Sequence, residues 1–138
     1  MTPSKRLAAF ALVFLGAALG GLLRVAIDAN FAWGYSWEIV AINIAGSAAL
    51  GLFAGWTSNQ PRPLLHAFVA PGLLGGFTTF SGLAAFGWSG SGVAAHIGVL
   101  LVTTAASVAS AAAGWALGAR ASQRTSGAQE AGTREAGA

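Results

Sequence analysis

The sequence predicts an all-α integral membrane protein with four transmembrane helices, the third of them broken near its middle. Three observations carry this. The 138 residues are 55% hydrophobic and 8% charged, with a mean hydropathy of +0.67, whereas a soluble domain carries about 25% charged residues. Four apolar segments each reach the roughly 20 residues that a membrane crossing takes. The third contains Gly75-Gly76-Phe77-Thr78-Thr79-Phe80-Ser81, and paired glycines followed by paired threonines make a poor continuous helix. In lipid, such a break leaves amides and carbonyls in need of partners. It survives only where it is buried in protein, faces water or binds an ion.

The first span is predicted over residues 7–27. Lys5 and Arg6 precede it, as they would in a cleaved leader, but three further apolar segments follow instead of a soluble domain. The second span covers 37–57, the third 64–88 and the fourth 93–119, joined by short connections at 28–36, 58–63 and 89–92. Residues 1–121 form one membrane domain. Residues 122–138, rich in Gly, Ala, Ser and Thr with mixed charges, read as a disordered cytoplasmic tail. Small residues recur four apart at Gly16 and Gly20, at Ser47, Gly51 and Gly55, and at Gly114 and Gly118, a spacing that lets helix backbones approach closely.

Tryptophans mark the membrane edges, with Trp33, Trp37 and Trp88 at one interface and Trp56 and Trp115 at the other. Lys5, Arg6, Arg62, Arg120 and Arg124, with Arg134 farther out, fall on one side. Only Arg24 falls near the other. Basic residues concentrate on the cytoplasmic side, so the termini are expected there, in a multi-pass plasma-membrane protein.

Composition excludes several classes. There are no cysteines, hence no disulfide and no thiolate metal site. The basic residues form no stripe that would bind nucleic acid. No acid–base pair, activated nucleophile or phosphate loop is visible, so no enzyme is expected. His66 and His96 fall on opposite sides of the membrane and cannot form a metal pair within one chain.

Asn43 is the only Asn or Gln deep in a predicted span. Its amide needs partners, and either a helix–helix hydrogen bond or donation to a passing anion would supply them. Thr103, Ser107 and Ser110 share a face of the fourth helix, either bonded back to their own helix or forming a polar track. At the break, freed carbonyls suit a cation such as Na⁺. Phe77 and Phe80 present electropositive ring edges that an anion can meet.

These residues resemble the fluoride-specific ion channels, also called Fluc or CrcB proteins. The likeness rests on Gly16-Ala17-Ala18-Leu19-Gly20-Gly21-Leu22-Leu23-Arg24, on Ile42-Asn43-Ile44-Ala45-Gly46-Ser47, and above all on Gly75-Gly76-Phe77-Thr78-Thr79-Phe80-Ser81, in order along the membrane region. The resemblance implies an antiparallel dimer of four-helix subunits and passive export of fluoride that limits its toxicity. It implies a structural, untransported Na⁺ at the dimer centre, held by backbone at Gly75 and Thr78. It places Asn43, Phe80, Ser81 and Ser107 on the fluoride pathway.

The chain also departs from the family pattern. Leu83 stands where a second phenylalanine is expected, Glu38-Ile39 where Gly-Thr is usual, and Thr103 where the fourth helix carries tyrosine. The one-sided basic residues suggest pairing with a second, oppositely oriented homologue, since one sequence inserting both ways needs balanced loops. Two other readings compete. A small dimeric drug or cation exporter lacks its embedded carboxylate here, and a non-conducting membrane scaffold would use the glycines for packing alone.

Overall fold

The computed structural model describes residues 2–30, 37–59, 62–86 and 92–136. Trp33 and Trp88, and most of the first and third connections, lie outside the described residues. The architecture is all-helical among the described residues, and four stretches are long and apolar enough to cross a membrane: Pro3–Asn30, Trp37–Trp56, Pro63–Ala84 and Val93–Arg124. The first two are single helices, α1 (Pro3–Asn30) and α2 (Trp37–Trp56).

The third span is assembled from pieces. It begins as α3 (Pro63–Ala67), with Pro63 at the first helical turn, where its missing amide hydrogen costs nothing. It widens into a π-helical stretch at Phe68–Leu74 around Pro71. Proline cannot donate to the carbonyl one turn back, and the wider turn accommodates its ring. A single turn, α4 (Gly75–Phe77), leads to Thr78 in extended conformation at φ −77°, ψ 152°, and α5 (Phe80–Phe86) then resumes the helix. The break therefore falls at Thr78-Thr79, just after the glycines that suggested it. Gly75 itself is helical, at φ −67°, ψ −35°.

The last helix, α6 (Val93–Ala136), has 44 residues. Gly92, at φ 76°, turns the chain into it. The helix runs on through the segment that composition assigns to a disordered tail from Ser122. Extending an existing helix adds one hydrogen bond per residue fixed, and Ala, Gln, Glu and Arg in this stretch are good helix formers. At 1.5 Å per residue it is roughly 66 Å long, about twice the ~30 Å hydrocarbon thickness.

Glycine spacing decides which spans pair. Against α1, a Cβ added at Gly16 would collide with the Phe68 carbonyl, one at Gly20 with the Leu73 carbonyl, and one at Gly76 with the Ala17 carbonyl. Contacts advance in the same direction along both helices, so α1 and the third span run parallel. The α2–α6 seam is reciprocal. Gly51 and Gly55 sit on the Ala111 and Trp115 carbonyls, while Gly114 and Gly118 sit on those of Ala48 and Leu52. These two helices also run parallel. The pairs are thus first with third and second with fourth, each locked backbone to backbone.

The core is correspondingly thin. Among the described residues, Ile42, Ala70 and Leu83 are its buried apolar side chains, while Phe10, Phe14, Leu101 and Val102 are exposed, as lipid-facing side chains must be.

Candidate functional site: a cleft at the helix break

The two helix pairs meet where α2 crosses the break. Asn43, only 9% exposed, sits on the second turn of α2 and reaches the non-helical dipeptide. Its Nδ2 donates to the Thr79 carbonyl (3.1 Å) and to the Ile39 carbonyl on its own helix (2.8 Å), and its Oδ1 accepts from the Thr79 amide (2.9 Å). The side-chain amide thus pairs with both backbone groups of Thr79, replacing the helical partners that the extended Thr78 has removed. Both amide hydrogens are spent in this way. Of the two roles the sequence allows Asn43, the geometry realises the backbone-holding one.

Other contacts seal the same joint. A Cβ at Gly46 would come within 2.5 Å of Thr78 Cγ2, so only glycine lets α2 lie this close to the break. The Thr78 hydroxyl donates to the Leu74 carbonyl (3.1 Å). Thr79 Oγ1 accepts from the Gly82 amide (3.0 Å), capping α5 as a threonine at an N-terminus does. Ser81 Oγ lies 3.2 Å from Thr79 Oγ1.

Beside this joint is a cleft of about 290 Å³, lined by Asn43, Ser47, Thr78, Phe80, Leu83, Thr104, Ser107, Val108 and Ala111. No charged side chain lines it. Three of the four pathway residues read from the sequence, Asn43, Phe80 and Ser107, meet here. Ser81 is exposed on α5 and does not line the cleft. Thr78 does line it, while Gly75 is exposed on the preceding turn, where a Cβ would make only ordinary contact with the Ala70 carbonyl at 3.7 Å. Leu83, at the second aromatic position, is 4% exposed and forms part of the wall. Phe80 is 68% exposed, so the cleft lacks a wall on that side within one chain.

The hydroxyls divide by what they already bond. Thr78 and Thr104 donate to carbonyls one turn back, Thr104 to Leu100 at 2.8 Å. Among the described residues, the Ser47 and Ser107 hydroxyls donate no hydrogen bond, so these two O–H groups remain available to the cleft. In the sequence, Ser47 belongs to a packing stripe and closes the Ile42–Ser47 motif, with no pathway role assigned to it. Its position one helical turn after Asn43 was the signal for a second role.

The expected track of Thr103, Ser107 and Ser110 is not continuous. Thr103, 3% exposed, faces a separate apolar hollow with Trp37, Val40 and Ile44. Ser110 Oγ donates to the Ile44 carbonyl of α2 (3.0 Å) and to the Ser107 carbonyl (2.9 Å). The cleft face of α6 is instead Thr104, Ser107, Val108 and Ala111. Steps of three and four residues select that face, and α2 covers the neighbouring one.

At the far end of α1, Arg24 Nε and Asp28 Oδ1 are shielded without a hydrogen-bond partner among the described residues, as are Glu38 Oε2 and His96 Nδ1. No group of three or more His, Cys, Asp or Glu side chains gathers there or elsewhere among the described residues.

Comparison with known proteins agrees with this architecture. A family model described as "CrcB-like protein, Camphor Resistance (CrcB)" matches residues 11–119. The chain belongs to this family. A "Fluoride-specific ion channel FluC" from Paracoccus denitrificans (strain Pd 1222) is 33% identical over 115 residues, 79% of this chain and 93% of that relative. Proteins of the same description from Paramagnetospirillum magneticum (strain ATCC 700264 / AMB-1) and Methylobacterium sp. (strain 4-46) are 45% and 43% identical, over 52% and 50% of this chain. The chain spans 62% and 60% of the length of those two relatives. No solved structure matches.

Proposed function

We propose that this chain is a subunit of a fluoride-specific channel and lets fluoride leave the cell passively, limiting its toxicity. The observation that carries this is the uncharged cleft beside the helix break, where the Ser47 and Ser107 hydroxyls and the Phe80 ring face one space. Fluoride is small and strongly hydrated, so a path must replace its water with donors yet bind it weakly enough for release. Two hydroxyls and a ring edge meet both demands, and a lysine or arginine in the wall would hold the anion too tightly. The naming of the relatives above supports the choice of anion. The lack of a carboxylate in the lining set speaks against a proton-coupled cation exporter.

The open side at Phe80 fits a pathway completed by a second subunit, antiparallel to this one. The turn at Gly75 is exposed and Thr78 is extended, and their backbone carbonyls are hard oxygen donors of the kind that suits Na⁺. A structural Na⁺ there would tie two breaks together at the dimer centre. The excess of basic residues at one end further favours a partner that is an oppositely oriented homologue, with both termini of this chain cytoplasmic in the plasma membrane.

Fluoride efflux from liposomes holding the purified chain, with chloride as control, tests this reading. Fluoride flux without chloride flux is expected, either from the chain alone or with the partner homologue, and Phe80→Ile should abolish it. Equal flux of both ions, or proton-driven flux of organic cations, would refute it.

A further inference from the structure

At the end of the molecule where α1 and α3 begin, the two helices diverge around a second and larger pocket. It measures about 550 Å³ and is lined by Thr2, Lys5, Arg62, Pro63, Leu64 and Leu65. Two cations and no acidic side chain face it. The rest of the lining is mostly apolar, and Leu64 and Leu65 are each more than a third exposed. One residue round α1 from Lys5, the side chains of Arg6, Ala9, Phe10 and Val13 line an apolar groove of about 240 Å³ that descends along the helix. Spacings of three, four and seven put them on one helix face.

Position decides the ligand. Both hollows lie at the starts of membrane-spanning helices, where headgroups meet hydrocarbon. A soluble anion would use Lys5 and Arg62 and leave Pro63, Leu64, Leu65 and the α1 groove without a role. A molecule with an anionic head and an apolar chain uses all of them. We propose that the pocket is a site for an anionic glycerophospholipid, its phosphate between Lys5 and Arg62 and one acyl chain along Ala9, Phe10 and Val13.

Native mass spectrometry of the detergent-solubilised chain, titrated with phosphatidylglycerol or phosphatidylcholine of matched chains, tests the proposal. The chain should bind phosphatidylglycerol at least ten-fold more tightly. Lys5→Gln with Arg62→Gln should erase most of that preference, and Lys5→Gln alone, on an exposed first turn, should lower it about five-fold, since each cation near an anionic headgroup contributes comparably. Arg120→Gln with Arg124→Gln removes the same charge elsewhere and should leave the preference in place. A preference that survives both Lys5 variants overturns the site. Equal loss in the Arg120/Arg124 variant would show diffuse surface charge instead. Displacement of the lipid by glycerol phosphate at equal concentration would show that only a soluble phosphate is recognised.

Discussion

The α2–α6 seam and the third span solve the same problem in opposite ways. In the seam, two unbroken helices satisfy their interior backbone groups internally and gain adhesion by removing side chains, with Gly51 and Gly55 set against Gly114 and Gly118. In the third span, proline and an extended threonine remove helical hydrogen bonds, and a single foreign amide, Asn43, replaces those at Thr79. Glycine packing also locks the third span onto α1, but at its break the span is tied to α2 by two polar contacts, both at Thr79. The difference teaches where function can sit. Where glycine meets carbonyl the seam leaves no space, whereas beside the break a cleft remains, walled by α2, α5 and α6.

The largest test of this contrast is a β-branched residue in the seam. Gly118→Val would drive a Cβ into the Leu52 carbonyl. Neither backbone can yield without parting the helices, so a loss of about 3 kcal/mol or more is expected. Gly21→Val, where nothing lies within 4 Å, should stay near wild type. Thermal or chemical unfolding in detergent separates the two, and equal effects would mean that the seam is not what binds α2 to α6.

Asn43→Ala comes next. It orphans the Thr79 amide and carbonyl, at about 1–3 kcal/mol for each unsatisfied group, and fluoride efflux should fail with it. Asn43→Asp should not rescue either quantity, because a carboxylate accepts from the Thr79 amide but faces its carbonyl with a second oxygen. Recovery of stability by Asp would show that only the accepted bond matters.

Ser47→Ala and Ser107→Ala separate function from packing more finely. Neither hydroxyl donates a bond among the described residues, so unfolding should move by less than about 0.5 kcal/mol while fluoride flux falls. Unchanged flux in both would remove the hydroxyls from the pathway. The smallest effect on flux belongs to Ser110→Ala, which loses the bond to the Ile44 carbonyl. About 0.6 kcal/mol of destabilisation is expected, with flux preserved.

Much of this was legible in the chain itself. Hydropathy marks four spans, and Gly75-Gly76-Phe77-Thr78-Thr79 announces an interruption, because few residues are as poor in a helix. The exact dihedral that breaks was not legible. Glycine permits many conformations without demanding one, and the packing of Gly76 on Ala17 keeps it helical while Thr78 takes the extended form. Which face of the fourth helix meets the cleft is not legible for a similar reason, the sequence leaving both a back-bonded stripe and a polar track open. Thr103, Ser107 and Ser110 share a stripe, but α2 covers Thr103 and engages Ser110, which turns Thr104 and Ser107 to the cleft. Asn43 stands out in the sequence as a buried amide in need of partners, but its partner, 36 residues away in sequence, lies beyond any local pattern.

By itself, the sequence determined membrane residence, the number of spans and the presence of a break, since each follows from local quantities: apolar length, charge density and helix propensity. The tertiary structure alone decided that first pairs with third and second with fourth. Small-residue stripes on α1, α2 and α6 are interchangeable as patterns, and only the simultaneous fit of several glycines onto particular carbonyls tells one partner from another. It likewise decided that Asn43 serves the backbone while Ser47 and Ser107 face the cleft. A polar group's role depends on which partners remain within reach once the helices are in place.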